Sequence, residues 1–399
     1  MIALLSLLVA STTAFLHGSK PSQSSPSSLQ PLYAQKPRRL PENIEGVVYV
    51  NDKCINCAAC SGFAPQTFSR NGMYHIVHEQ PKTKQEIQKA RQALLACPVA
   101  AIRVETQREH EKRQGDMPWS EQDQHLVQEM TGKTPTSVDK EELFPRPLLD
   151  SVPNVYWVGH HNSASFGAIP YLVQVNSPAH DGRENSDRQW IMVDTPKFSP
   201  SAIRAVTSLT GPQGPSYLFL SHVDDTADHG KWAEHFPRLK RIFHRGDLGR
   251  HNWLNDRTLE DVEILLDSHS LPPDGTLVAY SIDGEVLPPR NLSTLLSTSK
   301  QPVILHTPGH SPGSISLWVD GVLFTGDTYS YTTRTNSMTG FPRYGNDRRQ
   351  QADVLERLLK GVDYQVIAPG HGHARDYRTS DAATKSKEME VAIEELQRW

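Results

Sequence analysis

The stretch that decides the fold of the larger part of the chain is Leu220-Ser-His-Val-Asp-Asp-Thr-Ala-Asp-His229. It follows the apolar run Ser216–Leu220, which is typical of a short buried strand. Glycine and proline residues precede this run. The stretch itself precedes Gly230–Phe236, whose pattern indicates the start of a helix. Two imidazoles and three carboxylates are therefore expected on one loop, and divalent metal ions prefer such ligands. For this stretch alone, a solvated loop with Asp228 as helix cap is the alternative.

Three later loops repeat this arrangement, because each places a potential metal ligand directly after a predicted strand. The loops are His306–Gly313 after Pro302–Leu305, Thr325–Thr328 after Gly321–Phe324, and Pro369–His373 after Tyr364–Ala368. Glycine and proline in these loops permit sharp turns and let a metal approach the backbone closely. The repetition favours a metal site over a solvated loop.

The ordered motifs His…Asp-His, Pro-Gly-His, Thr-Gly-Asp and Pro-Gly-His resemble the metallo-β-lactamase-fold superfamily, over roughly residues 154–399. The resemblance implies an αββα sandwich of two mixed sheets, with helices outside and a metal site along one edge. One departure stands in the first motif, usually His-x-His-x-Asp-His. Here Asp224 stands at the expected second histidine, and two extra residues precede the pair Asp228-His229.

The same resemblance implies a binuclear metal centre bridged by Asp327, with zinc, iron or manganese as the metal. We expect one ion to bind His222, Asp224 and His310, and the other to bind Asp228, His229 and His371. Asp228 and Asp327 are the expected catalytic residues, and Asp194, after the strand Gln189–Val193, is expected to orient the metal loop. Paired histidines at His160-His161 are interpreted either as part of the mouth of the site or as ordinary surface residues.

Such a metal pair activates a water molecule, so the resemblance implies a hydrolase of a thioester, ester, lactone or amide, with glyoxalase II-like thioester hydrolysis as the leading example. The sequence offers neither a Gly-x-Ser-x-Gly elbow nor a spare cysteine as nucleophile. A redox enzyme is the alternative, because the hard oxygen donor Asp224 favours iron or manganese, and flavodiiron proteins of the superfamily place a carboxylate there. Against this, the chain has no flavodoxin-like segment.

All four cysteines lie between residues 54 and 97. Cys54, Cys57 and Cys60 form a Cys-x₂-Cys-x₂-Cys run, and Cys97 precedes Pro98. This spacing is typical of a bacterial-type ferredoxin, in which one 4Fe-4S cluster binds all four thiolates. Two disulfides or a structural zinc site are the alternatives, and three crowded thiols favour the cluster.

Residues 45–105 resemble a single-cluster ferredoxin domain, with predicted strands at Val47–Val50 and Ala101–Val104 and a helix at Lys82–Leu95. The expected fold class is therefore α+β, a ferredoxin-like domain followed by the αββα sandwich. Residues 106–153 are predicted to be a polar linker with few contacts and a short helix near Glu121–Met130. The cluster is expected to feed electrons to the metal centre under the redox alternative, or to serve docking or sensing.

Residues 1–14 resemble a secretory signal, because the apolar run Ile2–Ala10 is too short to span a bilayer and small residues follow it. Residues 15–44 are rich in Ser, Pro and Gln and lack an acidic residue before Glu42, which suits a transit peptide. Together they resemble the bipartite presequence of algae with secondary plastids. We expect a plastid location, with secretion as the alternative; an oxidising compartment does not suit the cluster.

The composition argues against several partners. The chain has 399 residues, enough for two domains and a linker, and a formal net charge of −4. Such a charge gives no electrostatic reason to expect nucleic acid or an anionic membrane as a partner. The expected partners are a small-molecule substrate and a redox protein that meets the ferredoxin domain.

Overall fold

The computed structural model describes residues 36–132, 143–176, 188–268, 270–288, 292–298, 301–380 and 382–399. The predicted signal at 1–14 and most of the segment 15–44 lie outside them. Every helix among the described residues is too short or too polar to cross a membrane. Pro37–Trp399 form one compact unit, so the cluster-binding part and the larger part are in mutual contact.

The N-terminal part is a small α+β fold. Its elements are β1 (Val48–Val50), α1 (Ala59–Phe63), β2 (Phe68–Asn71), β3 (Tyr74–Val77), α2 (Lys84–Ala96) and β4 (Ile102–Val104). Strand β1 pairs antiparallel with β4, and β2 with β3. Helix α2 begins with a capping box, in which the Thr83 hydroxyl accepts from the Glu86 amide and the Glu86 carboxylate accepts from the Thr83 amide. Proline at 98 disfavours helical geometry at Cys97, so the helix ends there and leaves Cys97 at the cluster pocket.

The expectation of few contacts over residues 106–153 is wrong. Helices α3 (Gln107–Gln114) and α4 (Glu121–Thr131) follow β4, and Leu126 and Met130 of α4 are buried in the core of the N-terminal part. These two side chains lie four residues apart and so share one face of the helix. The short predicted helix is present, but its polar composition conceals this apolar face.

Hydrogen bonds to Glu105 hold the segment that contains α3 and α4 against the cluster-binding part. Its carboxylate is 3% exposed and accepts hydrogen bonds from Arg113 Nε at 2.8 Å and Trp119 Nε1 at 3.3 Å. The His110 ring lies 3.1 Å away and joins the same carboxylate. Burial alone raises the pKa of Glu105, but the donors, Arg113 first, hold that pKa below its usual range.

The larger part begins with a seven-stranded sheet. Its elements are β5 (Arg146–Leu149), β6 (Val152–Trp157), β7 (Tyr171–Asn176), β8 (Arg188–Val193), α5 (Pro200–Thr210), β9 (Tyr217–Phe219), α6 (His229–His235), β10 (Lys240–His244) and β11 (Ile264–Leu266). The spatial order runs from β11 to β5 without a crossover. Strands β5 to β8 are antiparallel neighbours, and β8 to β11 are parallel. The sheet therefore includes Arg146–Leu149, which precede the expected start of this domain.

A six-stranded sheet packs on the first. The remaining elements are β12 (Ala279–Ser281), α7 (Leu292–Thr298), β13 (Val303–His306), β14 (Ile315–Val319), β15 (Val322–Gly326), β16 (Ser330–Thr332), β17 (Ser337–Thr339), α8 (Arg348–Gly361), β18 (Val366–Pro369), β19 (Arg375–Asp376) and α9 (Ala382–Arg398). The second sheet has the order β12-β13-β14-β15-β18-β19, in which only the described pair β15 and β18 is parallel.

Alternation along the strands creates three apolar layers. Tyr171 and Val173 of β7 point between the sheets, whereas Leu172 points towards α5 and α6. In β14, Leu317 faces the first sheet and Trp318 packs towards α8 and α9. Both faces of each sheet are covered, so the central strands are apolar throughout rather than alternating. This is the predicted αββα sandwich.

Candidate metal centre and cluster pocket

The four cysteines line one pocket in the N-terminal part, and all four are free thiols. Left-handed backbone at Asn56 (φ 61°) and Ala58 (φ 66°) turns the run tightly between its three cysteines. Backbone amides of Asn56 and His75 donate to Cys54 Sγ, each at 3.4 Å. Amide donors to sulfur stabilise cluster thiolates, so the pocket suits the cluster chemically.

The electrostatics of this pocket keep the thiols neutral unless a cation binds them. Burial raises the pKa of Cys57 to about 12, with the neighbouring Cys97 and Cys54 as further causes. Burial likewise raises the pKa of Cys60. Four converging sulfurs cannot all ionise unless positive charge lies between them. The donor set therefore fits iron bound by four thiolates.

Replacing Cys97 by serine is expected to abolish the absorption band and the low-potential EPR signal of a four-iron cluster, because one of its four thiolates is lost. Iron analysis and EPR of the dithionite-reduced protein measure this. Ile55→Ser is the matched control, because Ile55 also lines the pocket but contributes no sulfur. A Cys97→Ser protein that keeps a complete four-iron cluster contradicts the assignment.

The loops after β8, β9, β13, β15 and β18 meet at one edge of the sandwich. Asp194 directly follows β8 in left-handed conformation (φ 53°), and it accepts hydrogen bonds from the Ser221 amide at 2.8 Å and from the Ser221 hydroxyl at 3.1 Å. Because the Ser221 hydroxyl donates to Asp194, its oxygen accepts from His222 Nδ1, 3.0 Å away. That bond leaves His222 Nε2 as a lone pair directed at the centre.

A second buried carboxylate, Asp247, connects the loop after β9 to the loop after β13. It accepts from the Val223 amide at 2.9 Å and from the Ser311 hydroxyl at 2.7 Å, and it also accepts from the Gly313 amide. Burial raises the pKa of Asp247 to about 6. Asp247 was not expected at the site from the sequence; its signal is an acidic residue three positions after β10, which ends at His244.

Two imidazoles and two carboxylates converge on one point. His222 Nε2 and His310 Nε2 lie 3.7 and 3.6 Å from Asp224 Oδ2. The same nitrogens lie 3.9 and 3.7 Å from Asp327 Oδ2. Atoms that bind one ion at about 2.0–2.2 Å are themselves roughly 3–4 Å apart, so these four donors have the spacing of one metal site.

A second group lies on the other side of Asp327. His371 Nδ1 is 2.9 Å from Asp327 Oδ1 and 4.0 Å from Asp225 Oδ2. Asp225 is fully buried, and neither of its carboxylate oxygens has a hydrogen-bond partner among the described residues. Burial raises the pKa of Asp225 well above its usual range. A buried carboxylate without a donor is costly unless a cation binds it.

The imidazoles and Asp327 can be tested for their fit to a metal in the same way as Asp225. Among the imidazole atoms that face the centre, His222 Nε2 is buried without a hydrogen-bond partner in the described part of the chain. Burial, with His310 nearby, lowers the pKa of His222 to about 4, so this ring is neutral, as a metal ligand must be. Burial opposes ionisation of Asp327, yet the neighbouring imidazoles, His371 first, hold its pKa well below the usual range. Burial opposes protonation of His371, yet Asp327 raises its pKa to about 10, so a metal ion must displace the proton of this ring. The spacing and chemistry of the donors fit divalent ions.

The structure does not bring Asp228 and His229 into this centre, which corrects the expected ligand set. Asp228 accepts hydrogen bonds from Asn162 Nδ2 at 2.9 Å and from the Phe198 amide at 3.0 Å. The His229 ring instead contacts Asp256 at 3.2 Å. Because of the two extra residues, 226 and 227, Asp228 and His229 lie beyond the helical turn Val223–Asp225, at the start of α6. Asp225, which the sequence analysis did not select, lies at the centre in their place.

Aromatic side chains border the centre. Trp253 Nε1 donates to Asp224 Oδ1 at 2.8 Å, and its ring lies 5.9 Å from that of Phe166. Both rings are about half exposed, at 55% and 49%. Of the paired histidines, His161 is 2% exposed, whereas His160 packs near Phe144.

Comparison with known families agrees with this division of the chain. Residues 50–104 match the family described as the 4Fe-4S single cluster domain of Ferredoxin I, and residues 184–371 match the metallo-beta-lactamase superfamily. The chain therefore carries a single-cluster ferredoxin domain followed by a metallo-β-lactamase superfamily domain, as the motifs predicted. The two families imply an iron–sulfur cluster and divalent metal ions as cofactors.

Individual proteins resemble the chain more weakly. An uncharacterised protein of Mycobacterium leprae (strain TN) is 37% identical over 73 residues, which cover 17% of this chain and only 32% of that protein. An archaeal metallo-beta-lactamase superfamily protein from Sulfolobus tokodaii is 16% identical, with a TM-score of 0.33, over 58% of this chain and 93% of its own. A sec-alkylsulfatase from Pseudomonas sp. is 11% identical, with a TM-score of 0.40, over 64% of this chain and 42% of its own. Likeness at this level identifies no substrate.

Proposed function

We propose that the protein is a metal-dependent hydrolase that cleaves a thioester, ester or lactone with a metal-activated water. His222, Asp224 and His310 hold one ion, Asp225 and His371 hold the other, and Asp327 lies between the two groups. The observation that carries this proposal is the convergence of imidazole and carboxylate donors around Asp327, with His222 Nε2 and both Asp225 oxygens buried and unpartnered among the described residues.

A bound divalent pair supplies a water whose pKa is close to neutral and polarises the bond under attack. The chain's own residues hold the ligands in place. Asp194 and Ser221 fix the tautomer of His222, and Asp247 clamps the loop of Val223 to the loop of Ser311. The exposed rings of Phe166 and Trp253 offer an apolar surface beside the centre, which suits the acyl part of a thioester or lactone.

A redox enzyme is the second candidate, and one feature favours it. His222, Asp224 and His310 form a group of two imidazoles and one carboxylate within 4.8 Å of one another. Two histidines and one carboxylate are the usual ligands of non-haem iron, and two further carboxylates, Asp225 and Asp327, add hard oxygen donors. Metal analysis of protein purified without oxygen decides between zinc and iron in this centre.

In zinc-loaded protein, Cys57→Ser is expected to leave hydrolysis of thioesters and lactones unchanged. Zinc has no accessible second oxidation state, and activation of water by a metal ion requires no electron from the cluster. Initial rates on a panel of acyl thioesters and lactones measure this, with cluster loss verified by iron analysis. Loss of hydrolysis in Cys57→Ser, with the fold and both zinc ions intact, contradicts the hydrolase proposal, as does a zinc-loaded wild-type protein that hydrolyses none of the panel.

A further inference from the structure

The ferredoxin domain touches the metallo-β-lactamase domain at a cluster ligand. A Cβ at Gly167 would lie 2.9 Å from Cys57 Cβ and 3.1 Å from Cys57 Sγ, and the same Cβ would lie 3.1 Å from Pro98 Cγ. Gly167 also has φ +89°, a conformation that other residues rarely adopt. Only glycine lets the backbone of the larger domain approach the cluster pocket this closely.

The same segment reaches the metal centre at its other end. The Ile169 amide donates to the Gly370 carbonyl at 2.7 Å, one residue before His371. A Cβ at Gly370 would lie 3.0 Å from Asp225 Oδ2 and 3.2 Å from Asp327 Oδ1. Residues 167–169 therefore connect a cysteine of the pocket to the loop that carries His371, through one van der Waals contact at Cys57, the covalent chain and one hydrogen bond.

His161 provides a second connection between the same two places. The Gly167 carbonyl can only accept, so the contact of 2.9 Å places a proton on His161 Nδ1. His161 Nε2 is then a lone pair, and it is buried without a partner in the described chain. The ring of Phe63, which ends the helix carrying Cys60, packs edge-on against His161 with the centroids 5.9 Å apart. The histidine therefore lies between Phe63 of the cluster helix and the carbonyl of Gly167.

Helix α1 also contacts the metal domain at His373, two residues after His371. A Cβ at Gly62 would lie 3.6 Å from His373 Nδ1. Helix α1 therefore packs on two segments of the metal domain, with Phe63 at His161 in the loop after β6 and Gly62 at His373 at the end of the metal loop. The wall of the cluster pocket at Cys57 faces the metal domain of the same chain.

We propose that the metal centre of this chain is the electron acceptor of its own cluster, and that residues 161–169 are the path between them. With both groups bound, the reduced cluster held by the four cysteines would give one electron to one Fe³⁺ held by the centre's ligands, which would become Fe²⁺. No bond forms or breaks in this step. An external one-electron donor of low potential re-reduces the cluster. The inference goes beyond the proposed hydrolysis, because the cluster then sets the oxidation state of iron in the centre.

The first test uses the wild-type protein and the relaxation of the cluster's EPR signal. Proteins are prepared with the reduced cluster and with either Mn²⁺ or Zn²⁺ in the metal centre. A paramagnetic ion close to the cluster speeds spin relaxation, so the cluster signal is expected to saturate at higher microwave power with Mn²⁺ than with Zn²⁺. Equal saturation in the two proteins, with both ions bound, overturns the proposal.

The second test measures the electron itself. Protein with Fe³⁺ in the centre is mixed with one equivalent of dithionite and frozen at intervals for EPR. The signal of the reduced cluster is expected to decay as that of Fe³⁺ disappears, at a rate independent of protein concentration. Gly167→Ala is expected to slow this decay by about tenfold or more, as steps that depend on ångström-scale geometry do.

Gly211→Ala is the matched control, because Gly211 has φ +73° and a Cβ there would meet no atom within 4 Å. It introduces similar backbone strain away from the pocket and is expected to keep the wild-type decay rate. A decay that depends on protein concentration, or equal rates in the two variants, overturns the path. Neither test measures hydrolysis, so both can be interpreted even if the hydrolase proposal fails.

Discussion

Asp327→Asn is expected to release metal from the centre and to lower the rate of hydrolysis on the order of 10³-fold or more, equivalent to about 4 kcal/mol. The carboxylate lies within 4 Å of three imidazoles, His222, His310 and His371. It therefore contacts ligand atoms of both proposed ions. Asparagine keeps the size of the side chain but removes its negative charge and one of its two acceptor oxygens. Metal content per chain and initial rates on the thioester panel measure the effect.

The control for this variant is Asp320→Asn. Asp320 occupies an exposed turn between β14 and β15 in left-handed conformation (φ 46°), which asparagine also adopts readily. It is expected to keep the wild-type metal content and rate. If Asp327→Asn retains two ions and full activity, Asp327 does not bridge the centre and the proposed ligand set is wrong.

Asp225→Asn and Asp228→Asn form the second pair, because they separate the ligand set of the structure from that of the sequence motif. Asp225→Asn is expected to lose one ion per chain and about 10²-fold or more of the hydrolytic rate, since a neutral amide replaces an anionic ligand. Asp228→Asn is expected to keep both ions. It weakens hydrogen bonds to Asn162 and Phe198 instead, at a cost in the free energy of unfolding of about 1–2 kcal/mol.

Metal content by elemental analysis and unfolding of the two variants in urea distinguish these effects. Asparagine tolerates the left-handed backbone at 228 (φ 64°), so the substitution adds little strain of its own. The opposite pattern, with metal lost in Asp228→Asn and retained in Asp225→Asn, would restore the Asp-His pair as ligands.

The sequence predicted the edge of the sandwich better than it predicted the ligands on it. His310, Asp327 and His371 each follow an apolar run and stand beside glycine, so period-two patterning and turn chemistry were enough to locate their loops. The first loop differs because its direction depends on a helical turn at Val223–Asp225 and a left-handed residue at Asp228. Neither is visible in a residue pattern, so spacing alone could not show which carboxylates point inward.

Contacts between the two domains were beyond sequence reasoning for a different reason. The cysteine spacing specifies a cluster pocket, because three thiols at i, i+3 and i+6 lie on one short segment and are close together whatever the rest of the fold. The approach of Gly167 to Cys57 depends on residues far apart in the sequence and on how two separate cores meet. A glycine between Phe166 and Ala168 has no distinguishing neighbours, and its role appears only when the opposing side chain is in place.

The hydrogen bonds that Glu105 accepts have a practical consequence for the design of fragments of this protein. The sequence match to a ferredoxin ends at residue 104, but the folded unit continues through α4. A fragment trimmed to the match would leave the apolar surface under Leu126 and Met130 bare and prone to self-association. It would also lack Arg113 and Trp119, which hold Glu105 at the end of β4. A piece intended for separate expression must therefore run at least to about residue 132, a boundary set by packing rather than by homology.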